Sequence, residues 1–243
     1  MLQFIDTHIH LQDFKPDFAP QVLKNSAIQK LILISTQQSD YERISALVND
    51  YPQKLIPAFG IHPWYWREPF AAEKLTQKLE QFPCALVGEV GVDELKEKVN
   101  ENQHQLFSLQ LNIAKEYHRP VITHAAKAFI ALKKHEKELE KVRYVHHGFV
   151  KNQELLKFII NTGGYIGLSS LFLKQEKAKK LWEMMPKDKI LFETDAPYRI
   201  DEANYNQIVQ ENLKSLALIS GMGQEALSNL LIQNTQKFID VYM

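Results

Sequence analysis

The stretch Phe4-Ile5-Asp6-Thr7-His8-Ile9-His10 places polar side chains at alternate positions of an apolar run. Residues two apart in an extended strand point to the same side, so this run predicts a strand that directs Asp6, His8 and His10 to one face. Imidazole and carboxylate groups are ligands of divalent cations. The fold and the chemistry therefore depend on which other segments bring similar residues to this face.

Seven more β-type runs follow, and helix-type stretches separate them. The further predicted strands are 30–36, 55–62, 85–93, 120–125, 142–148, 164–170 and 190–197. Apolar periodicity predicts amphipathic helices at 41–51, 73–82, 105–118, 152–163, 203–220 and 224–240. Eight unbroken alternations predict an α/β protein, a (β/α)₈ TIM barrel that forms a single domain over residues 1–243. A doubly wound open sheet is the alternative.

Composition narrows the classes of protein. Of 243 residues, 45% are hydrophobic and 24% are charged, which is enough to bury a core. The 29 basic and 29 acidic residues cancel, so bulk charge attracts neither nucleic acid nor membrane, although a local basic patch stays open. Cys84 is the single cysteine, which excludes an internal disulfide and fits a reducing compartment. Without a leader or an apolar span, we expect a cytoplasmic protein with no membrane contact and no obligatory protein partner.

Histidines and acids gather at the predicted strand ends. Active sites of such barrels lie at the C-terminal ends of the strands. The residues predicted there are His8, His10, His62, Glu89, His124, His146, His147 and Asp195. A single histidine at a strand end is more commonly a hydrogen-bonded polar residue than a ligand. A group this large is costly to bury without partners, and divalent cations are suitable partners.

The number of candidate ligands indicates how many ions the site holds. A catalytic zinc ion takes three protein ligands and keeps one position open. Six residues are available if one of the adjacent pair His146 and His147 takes part, which is too many for one open site and about right for two ions that share a carboxylate. Two ions about 3.5–4 Å apart can lower the pKa of water and stabilise a phosphoryl transfer.

The motifs, taken in order, resemble those of the TatD-related metal-dependent hydrolases. This (β/α)₈ family includes DNA exonucleases that act from the 3′ end. The matching stretches are Asp6-Thr7-His8-Ile9-His10, Gly60-Ile61-His62-Pro63, Gly88 to Asp93 with Val92 in the leucine place, Pro120 to His124, His147-Gly148-Phe149 and Glu193 to Tyr198. The resemblance covers nearly the whole chain.

The resemblance implies a ligand set for two divalent ions, Zn, Mn or Mg. The first ion would take His8, His10, Glu89 and Asp195, and the second would take Glu89 as a bridge, His124 and the histidine of the sixth strand. The family's H-C-F pattern favours His147 for that place. Adjacent strand residues face opposite sides, so His146 is expected to point away or pack behind.

Substrate-binding residues are harder to assign. Many relatives have an arginine two positions after the histidine of the fifth strand. Here that place is Ala126, and Lys127 beside it is the candidate basic residue for binding substrate. Trp64 lies in the loop after the third strand, where it either stacks on a base or anchors the loop. His62 is a candidate hydrogen-bond donor to a phosphate oxygen. Asp93 and Glu193 either orient histidines or are ordinary polar residues of the barrel mouth.

These observations predict a metal-dependent hydrolase of phosphate esters. By resemblance it is a TatD-like deoxyribonuclease, a 3′–5′ exonuclease acting on DNA or a nucleotide-like phosphodiester. Asp195 is the candidate base for the attacking water, and Glu89 is the bridging ligand. The alternatives are hydrolysis of a non-nucleic ester, amide or lactone, and a metal-binding barrel without turnover. Glu89 takes the place where other binuclear barrels bridge their ions with a modified lysine, which favours the phosphate-ester prediction.

Overall fold

A computed structural model describes residues 1–240, so the last three residues of the predicted 1–243 domain lie outside it. Eight parallel strands pair in sequence order. They are β1 (Phe4–Ile9), β2 (Ile28–Ile34), β3 (Leu55–Phe59), β4 (Leu86–Asp93), β5 (Val121–Ala126), β6 (Tyr144–His146), β7 (Tyr165–Leu168) and β8 (Ile190–Phe192). The helices are α1 (Ala19–Leu23), α2 (Tyr41–Asp50), α3 (Ala72–Gln81), α4 (Glu101–Glu116), α5 (Phe129–Lys133), α6 (Glu136–Leu139), α7 (Gln153–Asn161), α8 (Ser170–Leu173), α9 (Ala178–Met184), α10 (Tyr205–Ser220) and α11 (Gln224–Ile239).

The barrel closes where the first strand meets the last. Ile9 forms a parallel bridge with Ala196. The backbone N–H of Asp195 donates to the carbonyl of His8 at 2.8 Å, and that of His10 donates to the carbonyl of Ala196 at 2.8 Å. The predicted (β/α)₈ barrel is therefore confirmed, and the seam runs through the ends of β1 and β8.

Apolar side chains fill the part of the barrel interior nearer the N-terminal ends of the strands. The inner cluster consists of Ile32, Ile34, Ile56, Ala58, Leu86, Ile122, Val145, Tyr165 and Leu191, with Phe238 of α11 packed on it. The Tyr165 and Phe238 rings lie 5.1 Å apart. The helix α11 covers the N-terminal end of the barrel. The polar side chains that point inward near the C-terminal ends of the strands are therefore accessible only from the opposite end.

Helix ends follow the local chemistry that the sequence predicts. The Asn152 side chain accepts hydrogen bonds from the backbone N–H groups of Glu154 and Leu155, which caps α7. Gly163 follows this helix with a φ of 76°, a conformation that favours glycine. Gly221 ends α10 in the same way with a φ of 69°. Gly163 therefore ends α7 before β7 begins, and Gly221 ends α10 before α11 begins.

The predicted strands occur in order, but several are shorter than expected, and for two of them the difference affects site residues. β6 ends at His146 and β8 ends at Phe192, so His147 and Asp195 lie just beyond regular pairing. Two short helices rather than one long helix follow both β5 and β7. Within residues 1–240, none of the helices combines the length and the apolar character needed to cross a bilayer.

Candidate metal centre

Four side chains from β1, β4 and the end of β8 form the first half of the site. The Nε2 atoms of His8 and His10 lie 3.2 Å apart. His8 Nε2 is 3.3 Å from Glu89 Oε2, and His10 Nε2 is 3.5 Å from Asp195 Oδ1. The two imidazoles and Glu89 are buried. These four groups direct nitrogen and oxygen atoms at one small space.

The proton positions on these rings fit a cation in that space. His10 Nδ1 lies 2.9 Å from the carbonyl of Ile34, so it carries the proton and its Nε2 presents a lone pair. A proton on His8 Nε2 can face only one of its neighbours, which are His10 Nε2 and the carboxylates of Glu89 and Asp195. A divalent cation can face all of them, as imidazole and carboxylate ligands do in zinc sites.

β5 and the end of β6 supply the second half of the site. His124 Nδ1 lies 2.6 Å from Glu89 Oε1, and His147 Nε2 lies 3.9 Å from the same oxygen and 3.9 Å from Asp195 Oδ2. The rings of His8 and His147 stack with centroids 3.5 Å apart. Glu89 therefore presents one oxygen to each histidine pair, which is the arrangement that a bridging carboxylate requires.

Carboxylates also contact the outer nitrogens of the second pair. His124 Nε2 lies 2.7 Å from Asp93 Oδ2, and His147 Nδ1 lies 3.1 Å from Glu193 Oε1. Such contacts fix the orientation of a ligating imidazole and raise its basicity. Glu193 also accepts a hydrogen bond from the backbone N–H of Gly148 at 2.6 Å. Of the two roles considered for Asp93 and Glu193, the contacts favour orienting the histidines.

The electrostatics of the site favour positive charge. Burial opposes protonation of His124, but Glu89 and Asp93 outweigh it and raise the pKa of His124 to about 9. Burial likewise opposes protonation of His147, but Glu193 and Glu89 raise its pKa to about 10. Burial alone would raise the pKa of Asp195, yet the neighbouring histidines hold it well below its usual range. The carboxylates thus stabilise cations here, whether protons or metal ions.

His62 is close to this centre but is not built as a ligand. Its Nδ1 accepts a hydrogen bond from the backbone N–H of Trp64 at 3.0 Å, so the proton of the neutral ring is on Nε2. Burial lowers the pKa of His62 to about 3, so the ring is neutral. Although His62, Asp93 and His124 come close enough to suggest a third cation site, the Nε2–H of His62 is a donor without a free lone pair.

The sixth strand directs His147, and not His146, to the other site residues. His146 pairs with Thr123 and Ile166 in the sheet and is buried, and its Nδ1 has no hydrogen-bonding partner among residues 1–240. Burial lowers the pKa of the His146 imidazole to about 3. The side chain lies on the wall of a neighbouring cavity, which His147 also lines.

Asp6 does not join its two neighbours, so the expectation that all three share a face is wrong. Its carboxylate accepts hydrogen bonds from Thr194 Oγ1 at 2.6 Å, from Tyr205 Oη at 2.7 Å and from the backbone N–H groups of His8 and Thr194 at 3.1 Å. The pairing of β1 with β2 shifts register between Asp6 and Ile9, which breaks strict alternation. Asp6 instead connects β1 to the segment that carries Asp195.

Glycines allow the close packing beneath the ligands. Gly91 has a φ of 153°, and a Cβ at this position would collide with the carbonyl oxygen of His124. A Cβ at Gly167 would collide with the Glu193 carboxylate. Asp195 has a φ of 60°, a region that few residues other than glycine, asparagine and aspartate adopt. These backbone conformations allow the site residues to take their positions without steric clashes.

The two tryptophans of the third loop have different contacts. Trp66 Nε1 donates to Glu97 at 2.9 Å, and Glu97 also pairs with Arg67 at 2.7 Å, which fixes this loop to the loop after β4. Trp64 is 42% exposed, and its ring lies 4.9 Å from that of His62. Trp66 therefore anchors the loop, while Trp64 lies beside the site with Lys96 Nζ 3.9 Å from its ring centroid.

A cavity of about 480 Å³ adjoins the second half of the site. It lies over the loops that follow β5, β6 and β7. Its walls are formed by His124, Ala125, Ala126, Lys127, Ala128, Phe129, His146, His147, Gly148, Val150, Lys151, Asn152, Leu155, Ser169, Leu171, Asp195 and Arg199. The predicted substrate-binding residue Lys127 is exposed at this cavity, with a φ of 54°.

Two further residues near Asp195 were not singled out from the sequence. Arg199 Nε lies 3.3 Å from Asp195 Oδ2. The Tyr198 ring lies 5.0 Å from that of His10, and its hydroxyl donates to Asp13 at 2.9 Å. Their positions three and four residues after Asp195 were the available signal, because a turn after a strand end brings such residues back over the preceding one.

Comparison with known proteins agrees with this geometry. The model of the family described as TatD related DNase matches residues 5–240. The metal-dependent hydrolase YjjV of Escherichia coli K12 is 31% identical over 208 residues, covering 80% of each chain. The crystal structure of YjjV, a TatD homologue, superposes with a TM-score of 0.83 at 27% identity over 97% of each chain.

A second solved structure extends the similarity of fold. A TatD-family hydrolase from Entamoeba histolytica superposes with a TM-score of 0.82 at 18% identity over 98% of each chain. The resemblance noted from the motifs is thus confirmed by sequence over nearly the full chain and by fold. The chain belongs to the TatD-related DNase family and is a metal-dependent hydrolase.

Proposed function

We propose that the protein hydrolyses phosphodiesters with two divalent ions and acts on DNA as a 3′–5′ exonuclease. One observation carries the proposal: the two carboxylate oxygens of Glu89 face two separate histidine pairs, at 3.3 Å from His8 and at 2.6 Å from His124. A centre that holds two ions suits phosphoryl transfer, because the attacking and the leaving oxygens both need charge stabilisation.

The proposed ligand assignment follows the family resemblance. The first ion would be held by His8, His10, Glu89 and Asp195, and the second by Glu89, His124 and His147. When bound, the ions supply an activated water and stabilise negative charge on the phosphate. Zn²⁺ and Mn²⁺ suit a donor set of four imidazoles and two carboxylates, and the family resemblance adds Mg²⁺.

Asp195 is the proposed base. Its carboxylate is ionised over the working pH range, because the surrounding histidines hold its pKa well below the usual value. Arg199 contacts its Oδ2 and restrains the side chain. Asp195 thereby accepts the proton of the attacking water at a carboxylate oxygen, as a general base does.

His62 is the proposed donor to the substrate. Because the Trp64 N–H occupies its Nδ1, its Nε2–H is available to a phosphate oxygen, and a neutral ring does not repel the ions. Lys127 and Trp64 lie farther out, where an ammonium group would contact a phosphate and an indole would stack on a base. The description of the matching family as a DNase supports the choice of DNA.

A substrate panel tests the proposal. Protein reconstituted with Zn²⁺, Mn²⁺ or Mg²⁺ is offered single-stranded DNA labelled at either end, RNA, methyl p-nitrophenyl phosphate and p-nitrophenyl acetate. The expected result is hydrolysis of the phosphodiesters, with DNA shortened from its 3′ end. Hydrolysis of the carboxyl ester alone would contradict the proposal and favour the alternative of a non-nucleic substrate. Turnover of no substrate at full metal occupancy would favour a binding protein.

A further inference from the structure

The cavity beside the metal centre has two chemically different ends. At one end are the groups of the proposed centre, His124, His147 and Asp195. Farther along the loops after β5, β6 and β7 the wall is mainly apolar, with Asn152 and Ser169 as its uncharged polar members; the apolar residues are Ala128, Phe129, Val150, Leu155 and Leu171. A ligand that fills the cavity therefore has a polar reacting group joined to an apolar or aromatic part.

One polar side chain lies in the wall of the cavity without a partner. His146 is 2% exposed, and its Nδ1 makes no hydrogen bond within the described part of the chain. Buried polar groups are nearly always paired, and leaving one unpaired is unfavourable. His147, its neighbour, contacts Glu89 and Asp195 of the metal centre. The His146 ring lines the cavity, so a ligand held there is an available partner for it.

The basic side chains of the cavity lie at its outer edge. Lys127 and Lys151 are exposed at its edge, and Arg199 already pairs with Asp195. The inner apolar wall thus has no fixed charge with which to bind a second phosphate. An uncharged planar ring with hydrogen-bonding edges fits such a wall, since its faces pack on apolar groups and its edge meets the imidazole.

We propose that His146 is a specificity residue that hydrogen-bonds the edge of a nucleobase held in this cavity, so that the enzyme discriminates among bases. The inference rests on the proposed phosphodiesterase function. A volume of about 480 Å³ lies in the range of small-ligand sites, and one nucleotide is a ligand of that class. The phosphate then lies at the metal centre while the base extends along the apolar wall.

The test compares substrates with and without a base. The p-nitrophenyl esters of the four deoxynucleoside 5′-phosphates are measured beside methyl p-nitrophenyl phosphate, which has no base. We expect kcat/KM to differ roughly tenfold between the best and the worst base, the size of one hydrogen bond. In His146→Ala, kcat/KM should fall at least fivefold more for the best base than for the methyl ester, and the four bases should become nearly equal.

Two other variants keep the test decisive. Leu171→Trp retains His146 and fills the apolar end from a partly buried position, so it should slow the nucleotide esters more than the methyl ester, whether or not His146→Ala folds. His104→Ala changes a histidine outside the cavity walls and should preserve base discrimination. Equal rates for all four bases in the wild type would overturn the inference, as would equal loss on both substrate classes in Leu171→Trp.

Failure of the proposed function has a different signature. If the metal-loaded wild type hydrolyses no phosphodiester, including the methyl ester, the phosphodiesterase proposal fails. Base recognition is then measured by calorimetry with the four deoxynucleoside monophosphates. A base-dependent Kd that becomes uniform in His146→Ala supports the role of His146, and four equal Kd values in the wild type overturn it.

Discussion

Two clusters of histidine and carboxylate side chains lie in different parts of the molecule. One is the candidate metal centre at the barrel mouth. The other, which we call the helix cluster, lies between α4 and α6 and consists of His104, Ser108, His135 and Glu138. In the helix cluster His135 Nδ1 lies 2.6 Å from Glu138 Oε2, and His135 Nε2 lies 2.8 Å from His104 Nδ1. Both clusters thus have the same residue types at similar distances.

The clusters differ in whether protons alone can satisfy their nitrogens. In the helix cluster, His135 donates from Nδ1 to Glu138 and accepts at Nε2 from the Nδ1–H of His104, so each contact has one donor and one acceptor. In the metal centre, several acceptors converge on His8 Nε2, and a single proton on that atom cannot serve them all. The count of donors and lone pairs, and not the count of histidines, separates a ligand site from a hydrogen-bonded chain.

The largest effect is expected for a substitution that disrupts the metal centre and leaves the helix cluster intact. Glu89→Gln removes the bridging charge, so metal content should fall from about two ions per chain towards none, and hydrolysis should become undetectable. Elemental analysis after refilling and the turnover of a phosphodiester measure both. Glu138→Gln makes the same chemical change in the helix cluster and should leave both quantities unaltered. Full occupancy in Glu89→Gln would refute the bridging role.

The next effect concerns catalysis without loss of the ions. Asp195→Asn keeps an oxygen ligand of the same size but loses the charge and the basicity, so kcat should fall by about 10²–10⁴-fold with little change in KM. Metal content is measured in the same sample. Near-normal turnover at full occupancy would show that Asp195 is not the base.

A smaller effect tests the contacts behind the ligands. Asp93→Asn leaves His124 in place but weakens its 2.7 Å contact on Nε2, so metal affinity should fall about 10–100-fold. Competition with a coloured chelator measures the dissociation constants. The effect should appear at one of the two ions only, because Asp93 contacts a ligand of the second pair. Equal weakening of both ions would place His124 elsewhere in the centre.

The smallest effect lies in the helix cluster and depends on pH. Burial, His135 and Lys134 lower the pKa of His104 below the usual 6.5. The unfolded chain therefore binds the proton more readily, so this contribution to stability is present above pH 6.5 and is lost as the pH falls below that value. Thermal melting from pH 7.5 to 5 should show a smaller fall in Tm for His104→Gln than for the wild type, by up to about 2–4 °C. Parallel curves would show that His104 does not titrate on folding.

The order of strands and the residues at their ends could be predicted from the sequence, because alternation and apolar runs report which side of a strand is buried. His124, Glu89 and Asp195 are examples, since each lies within or shortly after an apolar run that predicts a buried strand. Features that depend on local irregularity of the backbone could not be predicted in this way. The register shift in β1 turns Asp6 away from His8, and strict alternation gives no sign of it.

Other features depend on contacts between distant segments. The proton position on His62 is set by the backbone N–H of Trp64, and residue types do not reveal it. The unpaired nitrogen of His146 becomes visible only when the walls of its cavity are placed in space. Which of Trp64 and Trp66 anchors the loop likewise depends on where Glu97 lies.

The seam of the barrel has a consequence for how the whole chain is held. His10 and Asp195 stand on the two sides of the seam, and their Nε2 and Oδ1 atoms are 3.5 Å apart. An ion bound to both would turn the intervening chain into a closed ring, as a disulfide between the same positions would. Constraining a loop of that length in the unfolded chain is worth roughly 5 kcal/mol in the chain-entropy model. The cofactor of the reaction would then also stabilise the fold, and chelation would lower the free energy of unfolding of the whole barrel.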